Sequence, residues 1–214
     1  CGHVWINLEG DVSLILAEGP AIRIWKKGEK LPKKLQLELE MEDGLILTAA
    51  TRMYAFYALS DGLEPLNPYL QRAVEGPNVL DQSFAFEQFC LAADQVNRAK
   101  LSVKGFLATE QRFPGLGNGV LQDILFNAKL NPRSTLDSLG ESGTKDLFDS
   151  VKETLRHMTE LGGRDTESDV HGQAGGYMTI LSRKGMERGC PNCGSPIVKE
   201  AYMGGSVYWC PRCQ

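Results

Sequence analysis

The chain closes on Cys190–Gln214, CPNCGSPIVKEAYMGGSVYWCPRCQ, which holds four of its six cysteines. They form two CxxC pairs with sixteen residues between them. A structural zinc ion takes four thiolates at tetrahedral corners, about 2.3 Å from the metal. Two residues between cysteines let one tight turn present both sulfurs, and Pro191 and Pro211 follow the first cysteine of each pair and pre-set that turn. Between the pairs, IVKEAY and SVYWC read as strands, and Gly204-Gly205 reads as the tip of a β-hairpin. The spacing predicts one structural Zn2+ on Cys190, Cys193, Cys210 and Cys213. Two disulfides would need an oxidising compartment, and the sequence carries no signal-peptide pattern. A redox CxxC stands singly near a βαβ pattern, whereas two pairs occur here. Zinc ribbons also serve as protein–protein modules, so the hairpin alone leaves the function open.

The chain has 214 residues, 42% of them hydrophobic, enough for a substantial core. It has no apolar run near the roughly 20 residues of a membrane span. Six cysteines, four of them assigned to metal, suit a reducing cytoplasm. The net charge of −4 argues against nucleic acid, but its distribution does not. Arg98 to Arg133 carries six basic and two acidic residues, and Arg183 to Gln214 carries five and two. Local positive faces govern phosphate binding more than the total does. Solvated helix faces would give the same counts.

Upstream, HVWINLE, VSLILAE, AIRIW, LQLELEM and LILTAA alternate with period two and read as strands of an antiparallel sheet with one face buried. The basic loop WKKGEKLPKK, with Lys26, Lys27, Lys30, Lys33 and Lys34, reads as a solubilising surface. A connector rich in Pro, Gly and Asn, SDGLEPLNPYLQRAVEGPNVL, precedes four helical patterns. These are FAFEQFCLAADQVN, with Cys90 a small buried hydrophobe, then LSVKGFLATEQ, then NGVLQDILFNAKL stopping at Asn131-Pro132, and TKDLFDSVKETLRHMTELGG. His157 reads as a surface or packing residue, and His171 suggests no partner. The predicted organisation is a partial β-sandwich over 1–65, a helical domain over 85–163, a Gly-rich linker over 164–189 and the zinc finger over 190–214.

The second motif is GLGNGVLQDILFNAKLNP, a glycine-rich turn running straight into a helix. A helix start exposes free N–H groups, glycines let a phosphate come close, and Asn118 adds an amide donor. By itself such a turn is also an ordinary N-terminal cap. Lys104 and Lys100, on or near the preceding helix, could lie beside it. This stretch resembles the helix–two-turn–helix signature of the formamidopyrimidine-DNA glycosylase / endonuclease VIII family. The terminal CPNCGSPIV and CPRCQ resemble that family's C-terminal zinc finger, down to Gln214. Order and spacing agree from about residue 85 to 214, and the resemblance is weaker over the sheet.

The resemblance implies an α+β fold. An antiparallel β-sandwich portion, a helix–two-turn–helix domain and a zinc-ribbon β-hairpin would flank a DNA cleft. It implies a base-excision-repair protein, a bifunctional DNA glycosylase/AP lyase for oxidised bases. Its partner would be double-stranded DNA with an oxidised base or abasic site, and a cytoplasmic monomer is expected, nucleoid-associated if the source is bacterial. Asn118 would bind phosphate, with Lys104 and Lys100 beside it, and Asp123 matches the family's acidic position. TRMYAF resembles the segment that fills the gap left by a flipped base, with Arg52 and Tyr54 as candidates. The family's N-terminal proline nucleophile has no match, nor has its hairpin arginine, whose place Gly205 takes, and its intercalating methionine aligns with Gly10. The chain therefore reads as a piece of a longer glycosylase, inactive by itself, with lysines that stay protonated and solvated. A catalytically inactive DNA-binding homologue and a zinc-stabilised protein-interaction module are the alternatives.

Overall fold

The computed structural model describes residues 2–51, 55–62 and 67–214. Its first part is two antiparallel three-stranded sheets. One has β1 (His3–Asn7), β2 (Ser13–Ala17) and β6 (Phe56–Ser60) in the order β1-β2-β6. The other has β3 (Ala21–Trp25), β4 (Leu37–Glu40) and β5 (Ile46–Ala50) in the order β3-β5-β4. Alternation places Leu14 and Leu16 on one face of the first sheet, where they pack with Ala49, Ile22, Leu37 and Leu39 of the second. The sheet was expected to bury one face, but Leu14 to Ala17 are all buried. The cause is a helix, α1 (Pro68–Glu75), whose Leu70 covers Ile15 and Ala17 on the opposite face.

That helix lies in the stretch read as a connector. Asn67 Oδ1 accepts the Tyr69 and Leu70 N–H groups at 3.1 and 3.0 Å, and Pro68 occupies the first turn. These are ordinary start signals, masked by their Pro- and Asn-rich company.

The helices α2 (Phe86–Asp94), α3 (Val103–Ala108), α4 (Leu121–Asn127) and α5 (Gly140–Glu160) enclose one core. Phe89 organises it, with ring centroids 5.2 Å from Phe106, 5.3 Å from Phe113 and 5.6 Å from Phe148. The middle helices are shorter than their sequence patterns. After α3, Glu110 and Gln111 both take positive φ, and Arg112 Nη1 donates to the carbonyls of Gly105, Phe106 and Thr109. After α4, Lys129 turns left-handed at φ 57°, so the helix ends before Asn131-Pro132.

Residues 164–189, expected as a linker, are packed instead. Tyr177, Thr179 and Leu181 are buried, and α6 (Arg183–Arg188) starts on Ser182, whose Oγ accepts the Gly185 N–H. The polar composition that suggested a linker is spent on internal bonds, with Asp165 accepting from both the N–H and the hydroxyl of Thr179. The segment also reaches the sheets. Ile24 N–H donates to the Val170 carbonyl at 2.9 Å, and Arg23 Nη1 to the Asp169 carbonyl at 2.7 Å. This strap covers the free edge of β3. An open cavity of about 390 Å³, lined by Pro20, Ile22, Arg23, Glu167 and Asp169 among others, lies between them.

The last hairpin is β7 (Val198–Tyr202) and β8 (Gly205–Trp209). Its tip is Met203-Gly204, one residue earlier than expected, because Tyr202 pairs with Gly205. Both tip residues have positive φ, 48° and 74°, as a two-residue turn of this hand requires. Among the described residues no helix is long and apolar enough to cross a membrane.

Candidate functional site

Cys190, Cys193, Cys210 and Cys213 come together, with all four sulfurs within 4.8 Å of one another. The Cys190–Cys213 and Cys193–Cys210 sulfurs are 3.7 and 3.5 Å apart. A metal about 2.3 Å from four tetrahedral sulfurs sets them about 3.8 Å apart, so the cluster fits such an ion. A disulfide would need about 2.05 Å. Hydrogen bonds from Ser195 pull the Cys193 thiol down to about 6. The bond to Cys193, then burial, pushes the Cys213 thiol up to about 12, and burial raises Cys210.

The cluster is built into the helical unit. Phe126 of α4, Leu181 and Ile197 pack beneath it. Gln214 Oε1 accepts the Cys210 N–H at 2.8 Å while its Nε2 donates to the Leu130 carbonyl at 2.9 Å. The hairpin then runs across α3 and α4. At its tip Met203 enters a notch that exists because residue 105 is glycine: a Cβ there would lie 3.0 Å from the Met203 methyl carbon. Arg133 lies 4.2 Å above the Tyr202 ring and meets Glu200 through two N–H···O bonds at 3.0 and 3.1 Å.

Asn118 meets the hairpin directly, its Nδ2 donating to the Ser206 carbonyl at 3.0 Å. Its side of the glycine turn and the cysteine hairpin thus form one surface. Gly205 stands where the resemblance led to an arginine. A Cβ at that position would approach the Asn118 amide to 3.2 Å.

Lys104 is placed differently from the expectation of a solvated lysine. It is buried, its ammonium donates to the Tyr202 carbonyl, and it lies 5.4 Å from the Tyr202 ring. Burial, and secondarily the charge of Arg133, draws its pKa down. The physical reason is the hairpin tip, which covers this face of α3. Lys100 is exposed and lines a different cleft with Gln95, Asn97, Glu110 and Arg112. Arg52 and Tyr54 lie outside the described residues. His157 is exposed and packs edge-on against Tyr177 at 5.4 Å, and the His171 backbone N–H donates to Asp169 Oδ1 at 2.9 Å.

Asp123 is buried and accepts the Ile180 and Leu181 N–H groups at 2.9 and 2.7 Å, which anchors the packed strap to α4. Burial nevertheless pushes its carboxyl up, and burial followed by the Asp123 charge raises the Tyr177 phenol. Sequence reasoning missed Gln122, Arg133, Arg164 and Met203. Arg164 pairs with Glu167 and lies where a Cβ on Gly119 would stand. No periodicity marks these residues, because their partners come from segments 45 to 101 residues away in the chain.

The sequence matches no family model. It is 30% identical to a formamidopyrimidine-DNA glycosylase of Thermus thermophilus over 146 residues, 65% of this chain and 53% of that protein. It is 32% identical to endonuclease 8 of Pectobacterium atrosepticum over 196 residues, 90% of this chain and 71% of that protein. The chain thus spans about half the length of the glycosylase relative. Its fold superposes on the MutM (Fpg) protein from Thermus thermophilus with a TM-score of 0.82 at 26% identity, covering 99% of this chain and 79% of that one. A Lactococcus lactis Fpg, in complex with DNA containing an abasic site, shares the fold at a TM-score of 0.80 and 22% identity, covering 99% of this chain and 78% of that one.

Proposed function

This chain belongs to the formamidopyrimidine-DNA glycosylase / endonuclease 8 family, and from that premise we propose that it is the DNA-gripping part of a base-excision-repair glycosylase. Its partner is duplex DNA carrying an oxidised base or an abasic site. The observation that carries this reading is the junction of Asn118 with the Ser206 carbonyl at 3.0 Å. It makes one surface of two elements, the glycine turn and the hairpin tip.

Phosphate contacts hold such a surface on the duplex without reading sequence. Asn118 supplies an amide there. Lys104 supports the hairpin from beneath, and Lys199 and Arg212 are basic residues of the hairpin unit itself. The four cysteines hold one zinc ion, which cross-links the two CxxC turns and takes no part in chemistry. The proposed units are a partial sandwich, a helix–two-turn–helix domain and the zinc hairpin, with the strap joining the first two.

Fluorescence anisotropy with a labelled abasic-site duplex tests this. The wild-type chain should bind with an affinity that falls steeply with salt. Asn118→Ala should weaken binding to damaged and undamaged duplex by about the same factor, roughly tenfold for a lost bond to a charged group. Salt-independent binding, or none, would turn the reading toward a zinc-stabilised protein-interaction module.

A further inference from the structure

Gln122 is a buried amide on α4 whose side chain bonds to both halves of the proposed grip. Its Nε2 donates to the Asn118 carbonyl at 2.9 Å and to the Ser206 carbonyl at 3.1 Å. Its Oε1 accepts the Tyr208 N–H at 3.1 Å. The hairpin register explains why these partners are available. With Tyr202 paired to Gly205, Glu200 to Val207 and Val198 to Trp209, the intervening β8 residues Ser206 and Tyr208 turn their backbone groups away from β7. The Ser206 carbonyl and the Tyr208 N–H therefore lie on the open edge of β8. One carboxamide satisfies both, as a peptide group of a third strand would.

The Ser206 carbonyl also accepts from Asn118 Nδ2, so its two lone pairs are divided between Asn118 and Gln122. Gln122 thus holds the backbone of Asn118 and the edge of β8 at one fixed offset. A shift of β8 by one residue would present side chains of the other face to α4 and break both bonds. We propose that Gln122 is the positioning residue that sets the register of the metal hairpin on the glycine turn, and so places Asn118 for phosphate. This rests on the DNA-binding reading above.

A double-mutant cycle tests it, using anisotropy with an abasic-site duplex on the full metal-loaded chain. Gln122→Met keeps the volume and removes both bonding functions. Alone it should weaken binding about tenfold, yet in an Asn118→Ala background by no more than about twofold, because it acts through Asn118. Metal content should stay at one ion per chain, and the Tyr208 amide should exchange with deuterium faster than in wild type. Gln122→Glu is the second variant, should the methionine chain fail to fold. It keeps an acceptor for Tyr208 and loses the carboxamide donors, so Tyr208 protection should persist while affinity falls. Wild-type binding together with an additive cycle, or unchanged affinity in both variants, would overturn this proposal alone. Absence of binding by the wild-type chain would overturn the DNA reading, and this proposal with it.

Discussion

Lys104 lies on α3 with its ammonium donating to the Tyr202 carbonyl beneath the hairpin tip. In the sequence it stands in SVKGF, where neither period nor composition separates a buried lysine from an exposed one. What decides is Met203, which brings the tip down onto α3 through the notch at Gly105. A lysine so buried gives up its proton more readily folded than unfolded, as the downward shift from 10.5 records. In the alkaline window below 10.5 the unfolded chain then holds the extra proton, so the stability cost of this charge shrinks as pH rises. Lys104→Met should remove that slope from the melting temperature between neutral and alkaline pH. It should also leave the salt dependence of DNA binding nearly unchanged, since a buried ammonium meets no phosphate. A salt slope lowered by about one would instead place Lys104 on the DNA. Asp123 gives a second test. Its two oxygens each take a backbone N–H, and an asparagine can match one of them, leaving an N–H facing an NH2. Asp123→Asn should cost about 1–3 kcal/mol in denaturant unfolding. A variant as stable as wild type would mean that the strap is not anchored through this carboxylate.

With the proposed zinc bound, the cysteine hairpin is expected to depend on that ion more than on its own core. Its buried apolar set is small, Phe126, Leu181 and Ile197 with the cysteines, whereas the helices share the large cluster around Phe89. Structural zinc in small fingers supplies about 10–16 kcal/mol of apparent binding free energy. Chelation should therefore release the amides of β7 and β8 to fast exchange while α2 to α5 stay protected. Loss of protection throughout would show that the hairpin and helices fold as one unit. The hairpin was legible in the sequence because CxxC spacing and two strand patterns agree, and the tip slipped by one residue because three small-turn candidates, Met203 to Gly205, stand together. The strands β1 to β5 were legible through alternation. The burial of both faces of β2 was not, since α1 hides in a stretch whose Asn67-Pro68 reads equally as a turn. The strap was misjudged because glycine and polar side chains mark turns and packed bonds as readily as a free linker.

The clustering of the cysteines was legible in the sequence, and Asn118 stood out there as a phosphate candidate; Gln122 and Arg133 did not, because the proposed grip is built where segments far apart in the chain meet. The whole molecule places that grip on one side of the helical core. The strap carries the connection to the sheets through Val170 on Ile24 and Asp169 on Arg23. A second polar link runs from α1, where the Tyr69 hydroxyl accepts from Gln111 of the helical unit and burial raises the phenol to about 12. Among the described residues these two sets of polar bonds join the sheets to the helical unit, and Arg164 at the start of the strap also packs against Gly119 of the glycine turn. Under the proposed function, DNA lies across the hairpin tip and the glycine turn. Hydrogen–deuterium exchange of the metal-loaded chain, with and without an abasic-site duplex, reads it directly. The account predicts that DNA protects residues 116–119 and 203–206 together, in one step and at the same DNA concentration. Protection centred instead on the cleft of Lys100 and Arg112, or on either of the two segments without the other, would contradict it.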